Sequence, residues 1–368
     1  VNDLDPTYGA ARAHWWGHYH GILAAFRGLM EYALAAEDFP MKSFVRDGYE
    51  CAWQMICPEL GMTGGLEGCV AGDLIALGIQ LTDSGMGDYW DQVDAVTRNF
   101  LAEIQVTDID GLRRISAAGP ERPKDANWGP VGEHRFWGGL AHKSLPGMES
   151  NDNVLARNIG AIANYPFQGV RFQAPLQMAC CTANGNQAFY YAWEAAVRAQ
   201  GDTANVNLLF NRFSPWLDVE SYLPYEGKVI LRNKTVRKIN VRIPAWVKRS
   251  TLHVEVDGKE VRPSWVGSYL TLDGLVPGRV VTIEFPMAME TRTLFIPAFN
   301  NDRPTKGTPK VTAVFKGSTC VEIKTPEEET PDIRPNLVPM FQREAYKQDQ
   351  APMKSVQPYV PERLVRWY

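Results

Sequence analysis

Apolar residues recur at helical spacing through the N-terminal half of this chain. The spacing predicts a helix over residues 8–37, and Asp38 and Pro40 then start a second helix. Similar stripes predict helices that carry residues 70–81, 89–100, 151–163 and 184–199. Consecutive helices with short joints are typical of helical hairpins stacked in a solenoid or toroid. The first stripe comprises Trp15, Tyr19, Ile22, Phe26, Leu29 and Ala33.

The apolar period changes from about 3.6 residues to two near Asn205. Residues 239–243, 252–256 and 281–285 alternate between apolar and polar side chains, and Asp257-Gly258 is typical of a hairpin turn. Short strands with regular turns predict an antiparallel β-sandwich. We therefore divide the chain into a helical part (1–204), a sandwich (205–290) and a C-terminal part (291–368) with a hairpin at 311–324 and an irregular wrap.

Between residues 119 and 148 the apolar residues follow neither a helical nor a strand period, and glycine, proline and tryptophan are frequent. A loop of this length inside an ordered domain usually forms a lid or a binding wall. Trp137 and His142 lie in this segment and are candidates for the wall of a cleft. A structural loop with a buried tryptophan explains the same residues equally well.

Composition narrows the class of protein. The 368 residues are 45% hydrophobic and 22% charged, and no apolar run is long enough to span a bilayer. Lysine and arginine number 38 against 42 acidic residues, which argues against a basic nucleic-acid-binding face. We expect no nucleic-acid or membrane partner, while the compartment (cytoplasm, periplasm or outside the cell) stays open.

The cysteines hold the first candidate chemistry. Six cysteines are too few for a disulfide-stapled scaffold of this length. Cys180 and Cys181 are adjacent near the start of a predicted helix, and one apolar pocket rarely takes two neighbouring side chains. A vicinal disulfide, a metal site and a reactive thiolate are the alternatives. A helix N-terminus and a cation both lower the pKa of a thiol, which favours the last two.

Glu67-Gly68-Cys69 precedes the third predicted helix and supplies further ligand atoms. Together with Cys180 and Cys181 it offers one carboxylate and three thiols, a set that suits a tetrahedral Zn²⁺. The spacing is not that of a zinc finger, so unrelated core cysteines stay open as the alternative.

These motifs resemble glycoside hydrolase family 127, the β-L-arabinofuranosidase-like enzymes of the six-hairpin glycosidase superfamily. The Glu-x-Cys motif and the later Cys180-Cys181-x-x-Asn184 are the most specific part of the resemblance, which covers roughly residues 10 to 350. Two further stretches agree with the family: Gly17-His18 with Gly28 and Asp38 downstream, and 218–246 with Leu223-Pro224-Tyr225-Glu226-Gly227-Lys228.

The resemblance implies an (α/α)6 barrel followed by β-sandwich domains, and a retaining hydrolase that releases terminal L-arabinofuranosyl or related sugars from a glycan. It assigns Glu67, Cys69, Cys180 and Cys181 as Zn²⁺ ligands and Cys180 as the nucleophile. The same scaffold with a different sugar specificity, and a non-catalytic, zinc-stapled carbohydrate-binding protein, are the alternatives.

The family's barrel needs twelve helices, whereas this chain offers six or seven before the sandwich. The chain also begins without methionine. We therefore expect it to be the C-terminal part of such a protein. We further expect an N-terminal partner segment or a homo-oligomer to complete the barrel, since half a toroid would expose its interior to water.

A retaining glycosidase also needs a carboxylic acid about 5 Å from its nucleophile. Glu59 lies eight residues before Glu67 in a glycine-rich loop, and Glu50 lies seventeen residues before Glu67 inside a helix. Spacing favours Glu50, whereas the loop context favours Glu59. We prefer Glu59 and keep Glu50 as the alternative.

Three histidines fall within seven residues of the first helix. His14 and His18 are four residues apart, a spacing that suits a metal site, and with His20 they could equally line a sugar pocket. Packing inside the helical core explains them as well. By the resemblance, His18 is the best candidate for a sugar contact, followed by His14.

Overall fold

The computed structural model describes residues 13, 18–62, 67–118, 133–136, 140–143, 154–163, 166–167, 172–173, 179–297, 299–300, 303–304, 310–324 and 340–352. Within these ranges, helices occupy the N-terminal half and sheets rich in antiparallel pairs follow. The predicted order of a helical part before a β part is therefore confirmed. A search of the same residues finds no helix with the length and apolar character needed to cross a membrane.

Seven α-helices are described, and several begin where the sequence predicts. α2 starts after Asp38, whose side chain accepts a hydrogen bond from the Met41 amide, and Pro40 lies in its first turn. The predicted helix at 89–100 is α-helical to Ala95 and continues as a π-helix over Val96–Leu101. The bounds are α1 Tyr19–Ala35, α2 Phe39–Gln54, α3 Gly68–Asp83, α4 Trp90–Ala95, α5 Ile109–Ala118, α6 Val154–Arg157 and α7 Ala179–Ala196.

Helix α3 is the centre of the helical part. Every residue from Gly68 to Ile79 is buried, so this helix has no solvent-facing stripe in its first three turns. It packs against α1, α2, α4, the π-helix and α7. Leu23 and Met30 of α1 and Tyr49 of α2 are fully or almost fully buried in the same core.

Two sheets form the predicted sandwich. Their strand orders are β13-β14-β10-β6-β5 and β12-β11-β15-β9-β8-β7, and all pairs are antiparallel except β10 with β6. Val206 and Ile239 from the first sheet and Leu231 and Ile283 from the second share one buried core. The strands are β5 Val197–Gln200, β6 Thr203–Val206, β7 Arg212–Phe213, β8 Leu217–Ser221, β9 Lys228–Asn233, β10 Lys238–Arg242, β11 His253–Val256, β12 Lys259–Glu260, β13 Ser264–Val266, β14 Tyr269–Leu272 and β15 Val280–Glu284.

The sandwich begins at Val197, eight residues before the expected change of period at Asn205. The predicted helix at 184–199 instead spans Ala179–Ala196. Strand β5 has only four residues, too few for alternation to stand out from the preceding helical stripe. It pairs with β6 through a tight turn at Gly201, which has a φ of 60°.

The buried face of the C-terminal strands packs on the helices. β16 Met289–Phe295, β19 Lys310–Lys316 and β20 Thr319–Lys324 form a three-stranded sheet, which confirms the hairpin predicted at 311–324. Leu294, Phe315 and Ile323 of this sheet are buried in the helical core. Three short strand pairs complete the described strands. They are β1 Glu133–Phe136 with β2 Leu140–Lys143, β3 Pro166–Phe167 with β4 Phe172–Gln173, and β17 Phe299–Asn300 with β18 Arg303–Pro304.

Asn99 of the π-helix joins the helical part to this third sheet. Its side-chain amide donates to the carbonyls of Glu59 and Ser318, each over 2.9 Å, and its oxygen accepts from the Cys320 amide over 2.9 Å. Asn99 is fully buried, so Asn99→Ala leaves three main-chain polar groups, among them the amide of buried Cys320, without this partner. We expect the free energy of unfolding in urea to fall by about 3 kcal/mol.

Asn186→Ala, at an exposed position on α7, is the matched control and is expected to change stability by less than about 0.5 kcal/mol. Equal urea midpoints for the two variants would contradict the structural role of Asn99.

Candidate metal centre

The N-terminal turns of α3 and α7 meet because small residues face each other. A Cβ atom on Gly72 would lie 2.7 Å from the carbonyl oxygen of Asn184, so no larger residue fits between the two helices there. A Cβ atom on Gly185 would likewise lie 2.7 Å from the Ile162 side chain. Cys69 lies one turn before Gly72, and the close approach brings it to the first turn of α7.

The four ligands predicted from the sequence come together at this point. The Sγ atoms of Cys69 and Cys181 are 3.4 Å apart, and those of Cys180 and Cys181 are 3.9 Å apart. All three sulfurs lie within 4.8 Å of one another, and Glu67 Oε2 accepts from Cys69 Sγ over 3.2 Å. Two thiolates on a tetrahedral ion with bonds of about 2.3 Å lie about 3.8 Å apart, so the cluster has room for such an ion.

The three thiols of the cluster hinder one another's ionisation, because each thiolate would lie close to other negatively charged groups. The hydrogen-bonding contact between the Cys69 and Cys181 sulfurs lowers the pKa of Cys181 to about 6, and the same contact together with burial raises the pKa of Cys69 far above its ordinary value. Burial and the neighbouring Cys181 sulfur raise the pKa of Cys180. Two helix N-termini favour negative charge here, but full ionisation of three thiols beside Glu67 calls for a cation.

Exposure distinguishes the three thiols. Cys69 and Cys181 are fully buried, whereas Cys180 is exposed. All six cysteines of the chain lie within the described residues, and the other five are buried. Cys180 is therefore the thiol that a ligand from solvent can reach.

His18, the predicted sugar contact, lies at the open side of the cluster. Its Nε2 atom is 3.1 Å from Glu67 Oε1, and its side chain is 54% exposed. The ring thus touches a predicted metal ligand and also faces solvent. This position suits contact with a bound molecule, and that role of His18 stays a prediction.

A buried acid beside the cluster was not anticipated. Asp73 is fully buried, its Oδ2 atom is 2.6 Å from His20 Nδ1, and its Oδ1 atom accepts from Arg27 over 3.2 Å. The hydrogen bond to Asp73 raises the pKa of His20. The available signal in the sequence was a lone carboxylate in the apolar run of α3, one turn after Cys69.

The two candidate acid/base residues have other partners. Glu59 is exposed and accepts from Cys57 over 3.4 Å; burial and this carboxylate raise the pKa of Cys57 to about 12. Glu50 accepts from the Tyr89 hydroxyl over 2.7 Å. Within the described residues neither carboxylate contacts the cluster, and both assignments stay predictions.

The placement of Glu50 relative to the cluster follows from its partner. The Tyr89 amide donates to Thr82 Oγ1, in the last turn of α3, over 3.0 Å. Thr82 is thirteen residues along α3 from Cys69, which corresponds to about 20 Å of helix. This distance makes Glu50 the less favourable candidate.

Three further predicted contacts cannot be placed as side chains. His14 and Trp137 lie outside the described residues. The backbone of His142 lies on β2, opposite His134 of β1, and its side chain is outside the described part.

Comparisons with known proteins give similarity in structure alone. No protein-family model and no curated protein sequence matches the chain. A family 127 β-arabinofuranosidase matches over 84% of this chain and 48% of its own, with 14% identity and a TM-score of 0.55. A second structure, described as a glycoside hydrolase, matches over 87% of this chain and 53% of its own, with 14% identity and a TM-score of 0.54. The chain has the fold of these glycoside hydrolases.

A family 127 β-L-arabinofuranosidase from Geobacillus stearothermophilus T6 also matches, over 83% of this chain and 46% of that enzyme, with 17% identity and a TM-score of 0.48. The chain therefore spans about half the length of the solved structures that it resembles.

The exposure of Cys180 predicts selective modification. In metal-free protein, brief treatment with iodoacetamide is expected to alkylate Cys180 and to spare the five buried cysteines. The rate should rise with pH because the thiolate is the reactive form and the pKa of Cys180 lies above its ordinary value. Equimolar Zn²⁺ should slow the reaction, because coordination removes the free thiol. Peptide mass spectrometry measures each site, and equal labelling of Cys69 and Cys180 would contradict the described burial.

Proposed function

We propose that this chain carries the catalytic centre of a zinc-dependent retaining glycosidase. Its substrate would be a glycan or oligosaccharide with terminal L-arabinofuranosyl or related residues. The observation that carries the proposal is one exposed cysteine, Cys180, beside two buried cysteines and a glutamate, on a fold shared with glycoside hydrolases. Because the chain spans about half of those structures, the activity is proposed for the whole protein.

The donor set supports zinc as the metal. Glu67, Cys69, Cys180 and Cys181 would hold the ion, and three sulfurs with one carboxylate oxygen match its preferred ligands. When bound, Zn²⁺ supplies the positive charge that keeps the thiols ionised at neutral pH. The two helix N-termini and the buried positions of Cys69 and Cys181 keep these ligands in place.

Cys180 would act as the nucleophile. Its Sγ attacks the anomeric carbon, a C–S bond forms, and the bond from that carbon to the leaving oxygen breaks while an acid protonates this oxygen. Water then attacks the same carbon, the C–S bond breaks and the thiolate re-forms, while the carboxylate of the former acid takes the proton from water. Two displacements retain the configuration of the sugar.

Glu59 is our proposed acid/base residue. Both candidate carboxylates are exposed, but Glu50 is held by Tyr89 beside the far end of α3. His18, at the open side of the cluster, would contact the sugar hydroxyls, and His14, Trp137 and His142 are proposed as further walls of the cleft. Specificity for a related sugar instead of arabinofuranose would follow from these pocket residues and would leave the cysteines unchanged.

A non-catalytic, zinc-stapled carbohydrate-binding protein is the alternative from another class. Structural zinc sites are closed and keep no position that a bound molecule can reach. The exposure of Cys180 argues against this alternative.

We also propose that an N-terminal partner segment or a second copy of the chain completes the barrel. Aromatic side chains on the helices support this, because Tyr32, Phe39, Tyr190 and Trp193 are 59%, 65%, 54% and 46% exposed. Light scattering on the 41.2 kDa chain should give a multiple of that mass, or the chain should form a stable complex with such an N-terminal segment. A monomer that binds no such segment would contradict the proposal.

The proposed mechanism predicts different losses of activity toward aryl arabinofuranosides for variants of Cys180 and Glu59. Cys180→Ser should lower kcat/KM on the order of 10³-fold or more, since a serine hydroxyl is not ionised at neutral pH. Glu59→Gln should lower it about 10²- to 10⁴-fold, and azide should partly restore turnover by replacing water as the second nucleophile. Metal analysis and steady-state kinetics of the protein with its complete barrel provide the measurements.

Glu50→Gln is the matched comparison for Glu59→Gln. Loss in Glu50→Gln together with full activity in Glu59→Gln would move the acid/base role to Glu50. Full activity in Cys180→Ser would refute the assignment of Cys180 as the nucleophile. An active protein that contains no zinc would refute the proposed role of the metal.

A further inference from the structure

A chain of hydrogen bonds runs from Arg27 to the main chain of Cys180. Arg27 donates to Asp73 over 3.2 Å, and the other Asp73 oxygen lies 2.6 Å from His20 Nδ1. His20 Nε2 lies 3.5 Å from Asn184 Nδ2, which donates to the Cys180 carbonyl over 3.0 Å. We call these four side chains, Arg27, Asp73, His20 and Asn184, the relay. It links α1, α3 and α7 at the cysteine cluster.

The atoms of the relay allow one consistent set of donors and acceptors. The Asp73 carboxylate only accepts, so Nδ1 of His20 carries the proton between them. In the neutral ring Nε2 then accepts, and the Asn184 amide has two hydrogens, one for Nε2 and one for the Cys180 carbonyl. The opposite orientation of the amide would turn its oxygen toward the Cys180 carbonyl, leaving two acceptors face to face.

The ion pair between Arg27 and Asp73 holds one end of the relay in place. A buried carboxylate is costly unless it is paired and hydrogen-bonded, and Asp73 is fully buried. Arg27 supplies the opposite charge and donates to the Tyr191 hydroxyl over 3.0 Å, with its guanidinium 5.4 Å from the centre of that ring. Asp73 therefore offers His20 a rigid partner, and His20 in turn offers one to Asn184.

We propose that the relay positions Cys180. It ties the first turn of α7, through the Cys180 carbonyl, to a buried ion pair on α1 and α3, and so holds the exposed thiol at the cluster. None of the four side chains touches a reacting atom, which makes them positioning residues. The inference rests on the proposed function in taking Cys180 as metal ligand and nucleophile.

The test is a double-mutant cycle with His20→Phe, Asn184→Leu and the double variant. Each change removes the hydrogen bonds of one side chain and keeps its approximate size. Amide hydrogen exchange in the first two turns of metal-free α7 and the Kd for Co²⁺ are measured at mildly alkaline pH. We expect each single variant to weaken Co²⁺ binding about 10- to 100-fold and to speed exchange in these turns. The double variant should match the single ones, because one relay is broken in all three.

A spectroscopic signature separates positioning from general destabilisation. At saturating Co²⁺, the visible absorption of both single variants should differ from that of the wild type, since the geometry of the sulfur ligands changes. His253→Phe is the matched control, because His253 also bonds a carboxylate, Glu255 Oε1 over 2.9 Å, but lies in the sandwich. It should leave exchange in α7, the Kd and the spectrum unchanged.

The outcomes separate this inference from the proposed function. Additive effects in the cycle, or unchanged exchange in α7, would overturn the relay, whether or not the protein binds metal. Neither readout uses a glycoside. Coupled effects would therefore support the relay even in a protein without glycosidase activity, and that lack of activity would refute only the proposed function. In an active protein, the variants should lower kcat at saturating metal with KM unchanged.

Discussion

The contact between the N-terminal ends of α3 and α7 is the constraint on which the candidate site depends. Gly72 lets the carbonyl of Asn184 approach to a distance that any side chain would prevent. The same approach brings two helix N-termini together, and their partial positive charges face three sulfurs and a carboxylate. Backbone packing and electrostatics thus act at one place: the glycine sets the distance between the helices, and the distance sets the charge density that a cation would relieve.

Local sequence patterns predict much of the fold and most members of the cysteine cluster. Helix α2 could be placed because Asp38 and Pro40 act within their own turn, and the sandwich strands because alternation needs only neighbouring residues. The four clustered residues are predicted as ligands from their chemistry together with the family resemblance. Their assembly over 112 residues, from Cys69 to Cys181, is a property of packing that spacing alone does not contain.

What the sequence did not reveal depends on distant partners or on short segments. His20 and Asp73 are 53 residues apart, and nothing near either one indicates the other. Strand β5 is four residues long and follows α7 directly, so its alternation was taken for one more helical turn. The π-helix at Val96–Leu101 keeps the apolar stripe of an ordinary helix, because its difference lies in hydrogen bonding and not in the order of side chains.

The packing of the β16-β19-β20 sheet changes how the chain is divided. Its buried face shares a core with helices that precede residue 197, while the sandwich between them has a core of its own. The helical domain is therefore discontinuous in sequence, and the sandwich is an insertion within it. The last strands are thus as much a part of the helical domain as its first helices.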